Sequence, residues 1–320
     1  MLGKFKQIAV WASTLIVFSQ LCIPGWAADE ESRVGPDRPK IALALGGGGA
    51  RGAAHIGVLR VLEQEKIPID YIAGTSIGAI VGGLYAAGVP LSTLEKLSMD
   101  RSLLRAYRTM PIFLRLMIIP ITVFPRSIGI HPYVGLYSGG RFRKYLERCI
   151  PDDCTNIENT KRPFRAVATD LLTGNPYVCS KGSLSKAMQA SSAIPWLKKP
   201  VEMDDALLCD GVLSANIPVR QAREMGADVV ISVDIDGPLQ PAKKSELRRI
   251  GFFENRSISL MMTKLDTKYV EESDVLIRPD VSKIHILSKH LSEVSYAIAE
   301  GERATREALP KIRQLLNRKD

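Results

Sequence analysis

The sequence predicts an α/β protein, a three-layer α/β/α sandwich around a mostly parallel central sheet. Three observations carry that prediction. Short apolar runs of strand length alternate with amphipathic stretches of helix length. The runs lack the polar alternation of a half-solvated sheet, so both faces need cover. Glycine-rich turns join strand to helix at the carboxyl ends of two strands, where open α/β sheets place their sites.

The elements follow in order. Ile41–Leu45 reads as the first strand, followed by four glycines, Gly46–Gly49, and a helix over Ala53–Gln64 whose Ile56, Leu59, Val61 and Leu62 fall on one side. Ile69–Ala73 is the second strand and Ser76–Ala87 the second helix, closed by Gly88 and Pro90. The rhythm returns as strand Phe164–Thr169, helix Leu184–Ala190, strand Ala206–Cys209, helix Val219–Met225 and strand Val229–Val233. A long amphipathic helix, Leu291–Leu316, is expected to pack on the outside.

Composition bounds the rest. With 320 residues, 46% hydrophobic and 24% charged, the chain holds a sizeable core and is no disordered polymer. The net charge of +9 points to an anionic partner without separating nucleic acid from lipid headgroups. Lys4 and Lys6 precede an apolar stretch, Ile8–Ile23, then Pro24 and Gly25, and Gly25 and Ala27 are the small residues a signal peptidase reads. Residues 1–27 are therefore expected to be a cleaved export signal, with an uncleaved anchor as the alternative, giving a periplasmic or membrane-associated protein. Residues 28–39 form a polar linker and 40–320 one domain, with an insertion at 101–146 and a C-terminal helical part at 251–320. Four cysteines remain beyond the signal, Cys149, Cys154, Cys179 and Cys209. The expected pairing is a local Cys149–Cys154 bridge across a turn, the alternative being buried thiols.

The insertion has a marked charge bias. It holds eight basic residues (Arg101, Arg105, Arg108, Arg115, Arg126, Arg141, Arg143 and Lys144) and no acidic one. Within it Met110–Phe124 is apolar apart from Arg115 and Thr122, and it is broken by Pro111 and Pro120, so it does not read as a spanning helix. The combination suits shallow docking on an anionic membrane surface; a core-facing or dimer-facing element is the alternative.

The glycine run admits three readings. Gly47, Gly49 and Gly52 have the spacing of a dinucleotide fingerprint, in the right strand-to-helix context. The acid that motif needs, about 20 residues on at the end of the second strand, is missing, because Asp70 lies at that strand's start. The second reading is an oxyanion hole of bare backbone N–H groups at Gly47, Gly48 and Gly49, with Arg51 holding the loop. The third is a tight turn.

Gly74-Thr75-Ser76-Ile77-Gly78 separates them. A Gly-x-Ser-x-Gly between strand and helix is a nucleophile elbow, in which glycines relieve the crowding of a sharp turn that exposes the serine hydroxyl. Such a serine needs a base. The four histidines, His55, His131, His285 and His290, carry no distinctive local context, and His55 reads as a packed helix residue. Asp210-Gly211 instead places a carboxylate at the carboxyl end of an apolar strand.

Together these residues resemble the patatin-like phospholipases, which combine a glycine-rich oxyanion motif, a Gly-x-Ser-x-Gly elbow and an Asp-Gly-Gly/Ala element in the same order. The resemblance covers about 40–236, extends more weakly to the helix around Ala299–Glu302, and implies a patatin-like fold. It implies a lipid acyl hydrolase using a Ser-Asp dyad and no cofactor or metal, acting on a phospholipid or other fatty-acyl ester. Ser76 would be the nucleophile, Asp210 the base, and Gly47, Gly48 and Gly49 the oxyanion donors. Arg51, Gly52, Gly74, Gly78 and Gly211 would support them. One residue departs from the pattern: Val212 stands where the family has glycine or alanine, and its branched side chain is expected to crowd the loop that aims Asp210. Other readings are a Ser-Asp-His triad using His285 or His290, a non-catalytic lipid-binding or scaffold protein, and a nucleotide-binding oxidoreductase.

Overall fold

The computed structural model describes residues 38–100, 102–107, 137–195, 197–237, 241–248, 252–286, 288 and 290–317. The export-signal reading at 1–27 and the apolar stretch Met110–Phe124 lie outside them.

Strand β1 (Ile41–Leu45) sits at the centre of an eight-stranded sheet, between β2 (Tyr71–Thr75) and β7 (Val229–Val233), both parallel to it. Its alternation explains the layering. Ile41, Leu43 and Leu45 point into the larger core, while Ala42 and Ala44 point the other way into a smaller one. The large side chains meet helix α1 (Ala53–Gln64) and helix α2 (Ile77–Ala86). The alanine face admits a closer layer, which includes Val219 and Ala222 of the short helix α7 (Val219–Arg223). This is the three-layer, mostly parallel arrangement the sequence predicts.

Outward from β2 comes β3 (Phe164–Asp170), parallel, and outward from β7 comes β8 (Val275–Ile277), also parallel. Two strands run the other way, β4 (Pro176–Cys179) and β6 (Ala206–Asp210), each antiparallel to β3; β5 (Val201–Met203) pairs antiparallel with β6 and so runs with β3. The C-terminal part expected to be helical thus also contributes β8, between helix α8 (Phe252–Glu271) and helix α9 (Leu291–Leu316).

Helices α3 (Leu91–Met99), α4 (Ser102–Tyr107), α5 (Gly140–Cys149) and α6 (Leu184–Ser191) complete the described elements used below. The two ends of the insertion belong to the body of the protein: Phe142 and Leu146 of α5 are buried in the main core, and Tyr107 stands edge-on to Phe142 with ring centroids 5.1 Å apart. The apolar part of the docking reading is thereby confined to the stretch between those ends.

The expected Cys149–Cys154 bridge is not formed. All four described thiols are free. Cys154 turns inward, where its Sγ donates to the Asn159 carbonyl at 3.2 Å, while Cys149 ends α5 beside Tyr145. Burial pushes the Cys179 and Cys209 thiols up to about 12, so both stay protonated and unreactive.

Candidate active site

The sheet register brings Ser76 to Asp210. β2 pairs with β3 only as far as Thr75 opposite Val167. β6 takes up the same edge of β3 from the other end, and its last pair sets Asp210 opposite Ala168. That edge is common to both because β4 occupies the opposite edge over Ala166–Thr169. Two strands running towards each other thus end at adjacent positions along β3, and the residues at their carboxyl ends meet.

They meet at hydrogen-bond distance: Ser76 Oγ donates to Asp210 Oδ2 at 2.8 Å. Ser76 has φ 54° and ψ −119°, a conformation costing about 1–3 kcal/mol in a non-glycine residue. The turn is possible because backbone packs on backbone around it. A Cβ at Gly78 would lie 2.2 Å from the Leu45 carbonyl oxygen, and one at Gly74 2.5 Å from that of Gly78. The Ser76 N–H donates to Ser191 Oγ at 2.9 Å, and that hydroxyl donates on to the Val167 carbonyl at 2.6 Å.

Asp210 is fully buried. Its Oδ1 accepts the Val212 N–H at 3.1 Å, its own N–H donates to the Ala193 carbonyl, and Thr169 Oγ1 donates to its carbonyl at 2.9 Å. Burial outweighs the hydrogen bonds from the Val212 N–H and Ser76 Oγ and pushes its carboxyl up to about 7. An aspartate so placed is a far better proton acceptor at neutral pH than a solvated one.

Val212 does not crowd Asp210. The loop from Gly211 to Leu213 is a regular 3₁₀ turn whose N–H holds the carboxylate, and the valine side chain is directed instead at the glycine loop, where a Cβ on Gly47 would meet its Cγ1 at 2.6 Å.

The glycine loop is fastened at both ends. At the start, Gly46 N–H donates to the Val233 carbonyl and Gly47 N–H to the Asn216 carbonyl and Asn216 Oδ1, at 3.3 and 3.1 Å. At the end, Ala50 N–H donates to the Ile286 carbonyl, and Arg51 clasps the Ile284 carbonyl and pairs with Asp236. Between these pins Gly48 and Gly49 turn with φ +155° and +60°, and among the described residues no acceptor takes their N–H groups. Of the three donors expected, Gly47 is therefore engaged by Asn216 and two are open. His55, fully buried and pushed down to about 4 by that burial, is neutral and bonds the Gly46 carbonyl through Nε2 at 2.8 Å. It braces the loop, as its reading as a packed helix residue implies.

A largely apolar cavity of about 160 Å³ opens beside Ser76. Ile80, Val81, Leu97, Phe142, Ile194 and Ile286 line it, Gly49 and Gly52 form part of its wall, and His290, Glu293 and Val294 bring the start of α9 to it. Sequence reasoning missed Ser191, Asn216 and Ala193 as site residues, although all three fall within the stretch that the resemblance covers.

The dinucleotide reading has no support from Asp70: that carboxylate grips Arg38 and the Ile41 N–H, at the amino edge of the sheet.

A strained serine at a strand-to-helix elbow, a buried aspartate on its hydroxyl and a glycine loop pinned at both ends come together on an α/β/α frame. The family model for patatin-like phospholipases matches residues 43–223, and the chain belongs to that family. It is 34% identical over 229 residues to an uncharacterized NTE family protein of Mycobacterium tuberculosis, covering 70% of this chain and 57% of that one. It is 35% identical over 197 residues to human patatin-like phospholipase domain-containing protein 6, covering 61% of this chain and 13% of that one. The chain thus spans little more than half the length of the mycobacterial relative. Among solved structures, VipD from Legionella pneumophila is similar at 13% identity and a TM-score of 0.48, over 86% of this chain and 67% of that one.

Proposed function

We propose that the protein is a serine lipid acyl hydrolase, of phospholipase A or lysophospholipase type, working with a Ser76–Asp210 dyad and an oxyanion hole at Gly48 and Gly49. The observation that carries this reading is the direct 2.8 Å hydrogen bond from Ser76 Oγ to a buried Asp210, with no histidine between them. It favours a dyad over a Ser-Asp-His triad, and the unstrained Val212 turn favours a working site over a non-catalytic scaffold.

Ser76 Oγ attacks the ester carbonyl while Asp210 takes its proton. The carbonyl oxygen gains negative charge, which the N–H groups of Gly48 and Gly49 receive at a helix amino end. The C–O bond to the alcohol breaks and the alcohol leaves with the proton from Asp210. Water then attacks the acyl-serine, gives a proton to Asp210, and the fatty acid departs as Ser76 recovers it. The apolar cavity takes the acyl chain, and burying its methylenes contributes about 0.8 kcal/mol each. A fluorophosphonate probe tests the reading directly. It should label the purified protein on Ser76 and leave Ser76→Ala unlabelled; equal labelling of that variant, or none of the folded wild type, overturns the proposal.

We also propose that this hydrolase works on an anionic membrane surface, in an exported compartment as the signal at 1–27 implies. Support comes from the eight basic and zero acidic residues of 101–146, of which Arg141 and Lys144 are exposed on α5. Each basic residue near such a surface contributes about 1 kcal/mol. In liposome co-sedimentation, Ser76→Ala protein should need anionic lipid and lose binding as salt rises. Binding should also fall when Phe113, Leu114, Ile118 and Ile119 are made polar. Equal binding to neutral vesicles, or none at low salt, overturns docking.

A further inference from the structure

We propose that Asp266 is a positioning residue for the oxyanion loop, orienting the amide of Asn216 and through it the Gly47 end of the glycine run. The proposal rests on the dyad reading above and adds a residue that no motif of the sequence marks.

Asp266 lies on α8, outside the segment matched by the family model. It is 5% exposed, and its Oδ2 accepts from Asn216 Nδ2 at 2.7 Å. Asn216 Oδ1 in turn accepts the Gly47 N–H at 3.1 Å. Only one orientation of the amide serves both ends. Turned over, Asn216 would set its NH₂ against the Gly47 N–H. Asp266, accepting from Nδ2, holds the amide in the orientation that pins Gly47, and Gly47 sits against the nucleophile: a Cβ there would meet Ser76 Cβ at 3.2 Å. The same helix ties down the loop between Asp210 and Asn216 a second time, through Tyr269 Oη donating to the Ser214 carbonyl at 3.2 Å.

Merely joining two elements would not call for a carboxyl here, because a buried acid is costly. The charged groups facing Asp266 are Asp234 and Asp236, beyond β7. Asp234 pairs with Arg278 at 2.8 Å and Asp236 with Arg51, so both have cations. Asp266 has none among the described residues, and its Oδ1 is buried without a partner. Burial, reinforced by the two neighbouring carboxylates, raises its carboxyl to about 8. It is neutral in the working range, and ionising it would put negative charge behind the loop that must accept an oxyanion.

Steady-state kinetics on a soluble p-nitrophenyl ester, between roughly pH 6 and 10, separates this role from simple packing. In the wild type kcat should fall on the alkaline side. Asp266→Asn keeps an acceptor for Asn216 Nδ2 but cannot ionise, so its neutral-pH kcat should stay within about two-fold while the alkaline fall disappears. Asp266→Leu should lose about ten-fold in kcat with KM nearly unchanged, as a displaced loop would. If Asp266→Leu does not fold, Asp266→Asn still decides. Retention of the alkaline fall in Asp266→Asn, or wild-type kcat in a folded Asp266→Leu, overturns the proposal while the dyad stands. A wild type with neither turnover nor fluorophosphonate labelling overturns both.

Discussion

Asp210→Asn is expected to lower esterase kcat about a thousand-fold or more while making the protein more stable at neutral and higher pH. The loss follows from the direct Ser76–Asp210 hydrogen bond: an amide in that place donates to Ser76 Oγ and cannot take its proton. The gain follows from linkage. Asp210 is raised from its ordinary 3.8 to about 7, so the folded state resists its ionisation. That penalty is absent below 3.8, grows as pH rises through the interval and is complete above about 7. Asparagine removes it, a stabilisation on the order of 4 kcal/mol at alkaline pH that should vanish in acid. The wild-type rate should rise with pH through about 7 as the base ionises. Turnover and urea midpoints for both proteins, each as a function of pH, check the pair of effects. Substantial turnover in a folded Asp210→Asn would remove Asp210 from the role of base.

How much of this was legible follows from how local each signal is. The bounds of α1 and α9 agree with the sequence reading because each is fixed by its own apolar spacing and flanking residues. β2 begins and ends two residues later than Ile69–Ala73. Gly74 has little strand preference of its own, and pairing with Leu45 carries the strand through it to Thr75, opposite Val167. β4, β5 and β8 span four, three and three residues, too short to show a period. The reversed direction of β6 is likewise invisible in its residues, yet that direction brings Asp210 end-on to Ser76. The two reactive residues were readable because an elbow and an Asp-Gly turn are contiguous motifs. Ser191, Asn216 and Asp266, which hold them and the glycine loop, act across 115, 169 and 50 residues of chain and have no such signature. Phe142 and Leu146 did carry a legible signal, a four-residue helical spacing, which the charge bias of the surrounding insertion obscured.

Gly57→Val should destabilise the fold by about 3 kcal/mol, the upper part of the range for overpacked cores. Helices α1 and α9 cross with their backbones in contact. A Cβ at Gly57 would lie 2.0 Å from the Ile298 carbonyl oxygen, and one at Gly301 2.1 Å from that of Ala54. Small residues surround the crossing, with Ala54, Ala297 and Thr305 fully buried, and Arg60 bridges to Glu302 at 2.7 Å beside it. Even Gly57→Ala should destabilise. Helix propensity favours that change by about 1 kcal/mol, but a methyl group 2.0 Å from a main-chain oxygen forces the helices apart. The consequence reaches the site, because Leu291, Glu293 and Val294 at the start of α9 line the cavity beside Ser76. Moving α9 outward widens that cavity, so KM for short acyl chains should rise more than kcat falls. Urea unfolding of Gly57→Ala beside Gly140→Ala, whose added methyl group meets nothing within 4 Å, isolates the contact from propensity. If Gly57→Ala proves as stable as the wild type, the crossing is looser than the backbone contacts imply, and α9 does not fix the cavity wall.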